Sequence, residues 1–189
     1  MKGHKLCVII GVAVLLFAVL ALPGCVSKSD YEALRADYEA LKADYDARIS
    51  QAQERYEFAT EALEIWEDMD DVRVVILNLI VEETPAVDYG SRTAALLNRL
   101  IGIENRLKWL YAPPEAVEIK DSLLGELDVI DTCVVKAGAV LQFRYEGDEA
   151  TASRFFREVV DSLEGLPSKQ VERDLINLKL QAEQDLEQH

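Results

Sequence analysis

The side chains with the widest chemical range are scarce in this sequence. It holds three cysteines and two histidines, namely Cys7, Cys25 and Cys133 with His4 and His189. A Ser-His-Asp relay or a Cys-His pair needs an imidazole held inside a fold. His4 lies in an apolar leader and His189 is the last residue, so neither is placed for such work. Ferritin-like di-metal bundles need Glu-x-x-His pairs, and the chain has none, nor a CxxC, a GxGxxG or a Walker loop. Carboxylates are dense at Glu54, Glu57, Glu61, Glu64, Glu67, Asp68, Asp70 and Asp71. Hard cations want several oxygens in one compact loop, whereas a row along a helix reads first as a solvated face. No carboxylate pair stands out for glycoside chemistry. Cys133 sits in the most apolar segment and reads as a small core residue, because a reactive thiol needs cationic neighbours. Trp109, Tyr111, Pro113 and Pro114 mark a turn whose aromatics either line a ligand cleft or cap the core. No catalytic residue, metal site or cofactor is expected, and no enzymatic activity.

One cysteine has a different chemistry in prospect. Lys2 and Lys5 precede Leu6 to Leu22, LCVIIGVAVLLFAVLAL, which carries no charge, and the run ends in Leu22-Pro23-Gly24-Cys25. A basic start, an apolar stretch and small residues before a cut site make an export signal. The four closing residues resemble the lipobox of bacterial lipoproteins, with Pro23 the least usual of them. The resemblance implies cleavage of residues 1–24 and attachment of lipid at Cys25. The other reading of the run is an uncleaved membrane helix at the short end of the spanning length. Both readings put the rest of the chain on the outer side of the cytoplasmic membrane, since positive charge stays inside. In a two-membrane envelope, Val26 after the cysteine implies, by the same resemblance, transfer to the outer membrane. With Cys7 removed and Cys25 lipidated, Cys133 is the one remaining thiol, and stability must come from packing. About 165 residues suffice for one core.

The charge narrows the partners. The chain has 35 acidic and 20 basic side chains, and the leader holds two of the basic ones, so the remainder is more acidic still. Nucleic acid and anionic lipid surfaces both select a basic patch. No nucleic acid is expected. The expected attachments are the membrane, through lipid on Cys25, and a protein.

Positioning falls to helices. After a linker at residues 25–29 the sequence repeats nearly the same heptad, DYEALRA and DYEALKA, with Asp30 as the expected N-cap. Tyr31, Leu34, Tyr38, Leu41 and Tyr45 follow spacings of 3 and 4, one stripe of a helix. The stripe continues through Ile49, Ala52, Tyr56, Ala59, Leu63 and Trp66, with a stutter near Tyr45. It serves either as a seam to another copy or partner helix, or as a face laid along its own bundle. No glycine or proline interrupts residues 26–84, so one helix over about 29–83 is expected, on the order of 80 Å long. Within it, VRVVILNLIV at 72–81 is rich in β-branched residues that also suit a strand. No pairing segment is evident, so a buried helix is the expectation.

Beyond it, Pro85 and Gly90 mark a loop and Ser91 a cap for a helix whose apolar face is Leu96, Leu97, Leu100, Ile101, Ile103, Leu107, Leu110 and Tyr111. A third helix, about 114–145, starts at the proline pair. A fourth runs over about 148–164, capped by Asp148, with Phe155, Phe156, Val159, Val160 and Leu163 inward. Ser168 opens the last, with Val171, Leu175, Ile176, Leu178 and Leu186 apolar. Short connections imply antiparallel neighbours. Residues 109–127, with their Pro-Pro-Glu turn, look similar to helical lipoprotein domains, a likeness that implies no activity. The expected protein is all-α: a long N-terminal coiled-coil-like helix (30–66) leading into an antiparallel bundle of four to five helices (67–189). Its expected role is that of a lipid-anchored, extracytoplasmic spacer or protein-interaction module in the cell envelope. The alternative is a bundle that binds a small ligand or a cation for a transporter or sensor.

Overall fold

The structure, a computed structural model, describes residues 27–81 and 88–188. Five α-helices account for nearly all of it: α1 Lys28–Val81, α2 Tyr89–Trp109, α3 Val117–Glu146, α4 Glu149–Glu164 and α5 Ser168–Gln188, with a 3₁₀ turn at Pro114–Ala116 before α3. Among the described residues there is no strand, and the protein is all-α. The expected signal sequence, Cys25, Pro85 and His189 lie outside the described residues.

The 54 residues of α1 form one helix, because nothing in that stretch removes an amide or demands a left-handed φ. Its start is a reciprocal cap. Asp30 N donates to Ser27 Oγ at 3.1 Å, and Ser27 N donates to Asp30 Oδ2 at 3.2 Å. Asp30 is therefore the third helical residue of a capping box whose N-cap is Ser27, not the N-cap itself. Residues 72–81 are helix: Val72, Ile76, Leu79 and Ile80 are buried while Val74 and Val75 are exposed. That is a helical interval, and a strand would bury alternate residues. The last turn of α1 lacks a basic residue of its own. Arg144 on α3 supplies the missing donor, its Nη1 reaching the Ile80 carbonyl at 2.5 Å.

The described residues divide into two compact units, 27–54 with 181–188, and 55–81 with 88–180. In the second unit α3 packs against both α2 and α4, and Leu123, Ile130, Val134, Ala137 and Val140 are wholly buried along it. Neighbours run antiparallel. Phe143 stacks on Phe155 with centroids 5.8 Å apart, while earlier on α3 Cys133 meets Val159, later on α4. The joint between these helices is two residues long. Gly147 takes φ 81°, Asp148 N reaches back to the Phe143 carbonyl, and the Asp148 side chain accepts from Thr151 N at 3.1 Å. Hydrogen bonding from Thr151, its hydroxyl first and then its amide, holds the Asp148 carboxyl below its ordinary range, as suits an N-cap.

Several expected details differ. Gly90 and Ser91 lie inside the first turn of α2, where Ser91 Oγ donates to the Asp88 carbonyl at 3.0 Å rather than capping an amide. The buried face of α1 centres on Phe58, Ala62, Ile65 and Met69, one residue round from Leu63 and Trp66, which are half-buried. Ile101, Tyr111 and Ile176 are exposed; the face that each helix gives to the core is narrower than its apolar stripe.

Candidate functional site

The repeat next to the expected anchor is helical throughout, and every residue from 27 to 44 is exposed. Tyr31, Leu34, Tyr38 and Leu41 retain 44, 39, 51 and 63 % of their surface. At spacings of 3 and 4 they form one continuous apolar seam. The seam is held straight by the capping box at its start and by ion pairs one turn apart on its flanks, Arg35–Glu39 at 2.9 Å and Arg48–Asp44 at 3.0 Å. Exposed pairs of this kind contribute little to stability. Covering begins at Tyr45 and Ile49, which are half-buried, and is complete at Ala52. The seam therefore ends where the heptad spacing ends. Isolated apolar side chains at a surface need no explanation, but a periodic row of four does.

Other candidates resolve differently. Cys133 is wholly buried, with Sγ 4.0 Å from the Val159 carbonyl oxygen; burial pushes the thiol up, against the pull of Lys136. A thiol so placed resists forming the thiolate. Three of the α1 carboxylates, Glu64, Asp68 and Asp71, form a docking strip for α2. Arg106 reaches Asp68 at 2.7 Å and Glu64 at 3.4 Å, and Arg99 reaches Asp68 at 3.2 Å and Asp71 at 3.1 Å. Charge that pairs with guanidinium is not available as a cation cage, and no cluster of metal-ligating groups occurs among the described residues. Trp109 is 87 % exposed and does not cap the core; Leu110 and Ala112 pack there instead. Lys120 fastens that turn by donating to the carbonyls of Lys108, at 3.2 Å, and Leu110.

A buried polar cluster was not apparent in the sequence. Glu126 of α3 is 3 % exposed, and its Oε2 accepts from Ser168 Oγ at 2.7 Å. Its Oε1 has no partner, and neither does the buried Nε of Arg73 on α1, although Arg73 Nη1 pairs with Asp70 at 3.1 Å. Burial raises the Glu126 carboxyl above its ordinary value and Asp70 adds to the rise, while Ser168 and Arg73 oppose it. Arg73, Asp70 and Ser168 also border a cleft of about 650 Å³ with Trp66, Leu166 and Arg173. The cluster pins the first residue of α5 to the middle of α3. Its open donor and acceptor suit a small polar molecule or a water.

Among the described residues no helix is long and apolar enough to cross a membrane. No protein-family model matches the chain, and comparison with curated proteins and with solved structures gave no match.

Proposed function

We propose that the protein is a lipid-anchored component of the cell envelope. In this reading Cys25 holds it to a membrane and the following helix is an assembly element that docks a second helix. The observation that carries the reading is the coincidence of pattern and exposure. The heptad repeat occupies the stretch of α1 whose residues are all exposed, and it stops where α1 starts to be covered. A repeat serving an internal core would be buried by its own chain.

Two measurements test it. Labelled palmitate incorporated into the native chain and absent from Cys25→Ser supports the anchor; equal labelling of both, or of neither, removes it. For the helix, an amine-reactive cross-linker on membranes carrying the full chain is expected to give a defined higher-mass species. Changing Tyr31, Leu34, Tyr38 and Leu41 together to Ser is expected to abolish that species. An unchanged pattern would leave the seam without a role.

The cleft of about 650 Å³ bordered by Arg73, Asp70 and Ser168 favours a second reading, a binding module for a small polar ligand. A panel of amides and polyols should then raise the melting temperature of the native chain and not that of Arg73→Ala. Failure of every probe would remove that reading.

A further inference from the structure

The seam has flanks, and their charges say what lies on it. With Tyr31, Tyr38 and Tyr45 at position a of the heptad and Leu34 and Leu41 at d, position g holds Asp30, Asp37 and Asp44. Position e holds Arg35 and Lys42. One flank of the exposed helix is thus acidic at each heptad and the other is basic at both heptads that the seam spans. In a parallel pair each g residue faces the e residue five positions further along the partner, and in an antiparallel pair g faces g and e faces e.

We infer that the occupant of the seam is a second copy of this chain, lying parallel and in register. This inference rests on the reading of the helix as an assembly element and adds the identity and direction of its partner. In the parallel arrangement Asp30 meets Arg35 of the other copy and Asp37 meets Lys42, and both contacts occur twice by symmetry. The antiparallel arrangement sets aspartate against aspartate and Arg35 or Lys42 against its like, which costs free energy at every contact. A partner helix of unrelated sequence has no reason to match both flanks, whereas the chain matches itself. Arg35 bonds Glu39 on its own helix, but that pair is exposed and worth little, so it yields to an interchain contact at small cost. Asp30 is engaged with Ser27, which leaves Asp37 and Lys42 as the cleaner pair to change.

The test is oxidative cross-linking of the full chain in isolated membranes, with the native chain as background. Leu34→Cys puts a thiol at a d position, where parallel in-register copies bring two such residues together. Glu32→Cys puts one on the outer face. The expected result is a disulfide-linked dimer from Leu34→Cys at several times the yield from Glu32→Cys. Adding Asp37→Lys should weaken association by about tenfold, and adding Lys42→Asp to that variant should restore it. If Leu34→Cys gives no excess over Glu32→Cys, or if Asp37→Lys leaves the yield unchanged, the parallel pairing is overturned. Should the amine-reactive species still form and still depend on the seam, the assembly reading stands and the partner is a different helix or an antiparallel copy. Should that species be absent too, both fall together.

Discussion

The two ends of α1 share one backbone and have opposite surfaces. From Phe58 to Ile80 the helix contributes Phe58, Ile65, Met69, Val72, Ile76 and Ile80 to the core, each at 1 % exposure or less. From Ser27 to Asp44 it buries nothing. Both stretches are amphipathic on paper, so periodicity alone does not separate a helix that packs on its own bundle from one that awaits a partner. What separates them is the supply of neighbours. The stretch from Phe58 to Ile80 has α2, with Arg99 and Arg106 reaching its carboxylates, and just before it Lys179 of α5 lies over the Tyr56 ring at 5.4 Å.

The sharpest way to break this contrast is to remove equivalent bulk from each end. Ile65→Ala empties a fully enclosed site and is expected to cost about 3 kcal/mol, whereas Leu41→Ala should change monomer stability by less than about 0.5 kcal/mol. Urea unfolding at a concentration where the chain is monomeric reads both; a large loss at Leu41 would mean that the seam is already covered by its own chain.

A smaller effect comes from Glu126. Its carboxyl is raised above the ordinary 4.5, so the folded protein binds that proton more tightly than the unfolded chain does. The stabilisation from protonation is complete below pH 4.5 and is lost as pH rises through the folded value. Glu126→Gln should therefore match the native protein near pH 4 and exceed it by about 1 kcal/mol near pH 8. Urea midpoints across that range decide it. An equal pH slope in both proteins would mean that the carboxyl is not the buried acid described.

The smallest concerns the strip joining α1 and α2. Arg106→Ala removes two partly exposed ion pairs and should cost about 0.5–1 kcal/mol, less in high salt. A loss that persists in molar salt would point to packing of the arginine stem rather than to charge.

Legibility in the sequence follows the range of the interaction. The unbroken α1, the Asp148 cap and the stop at Gly147 depend on residues within a turn, and they could be read. The Ser27–Asp30 box also lies within a turn and was misread by one partner, because a serine and an aspartate three apart can each serve as the cap. Residues 72–81 looked ambiguous since β-branched side chains suit both structures, and only the neighbours on α2 and α3 decide. Glu126 was invisible among 35 acidic residues. Its burial comes from α5 starting over the middle of α3, which no local pattern encodes. Ile101 and Tyr111 misled in the other direction, because an apolar side chain on a bundle surface follows the same period as one in the core.

The two-residue joint at Gly147 and Asp148 has a consequence in time. Closing so short a connection costs little chain entropy, and helices of this length form within about a microsecond. The α3–α4 hairpin, with Phe143 on Phe155, is the cheapest tertiary contact in the chain to make. The Tyr56–Lys179 contact spans more than a hundred residues and must wait. The expected order of assembly is therefore hairpin first and α5 last. Stopped-flow kinetics should show Phe155→Ala slowing refolding, while Leu175→Ala mainly hastens unfolding. The reverse pattern would place the nucleus at the long-range contacts. If the hairpin does come first, Cys133 and Val159 are already joined while the start of α5 has yet to find Glu126. The buried carboxyl would then be among the last groups to lose its water.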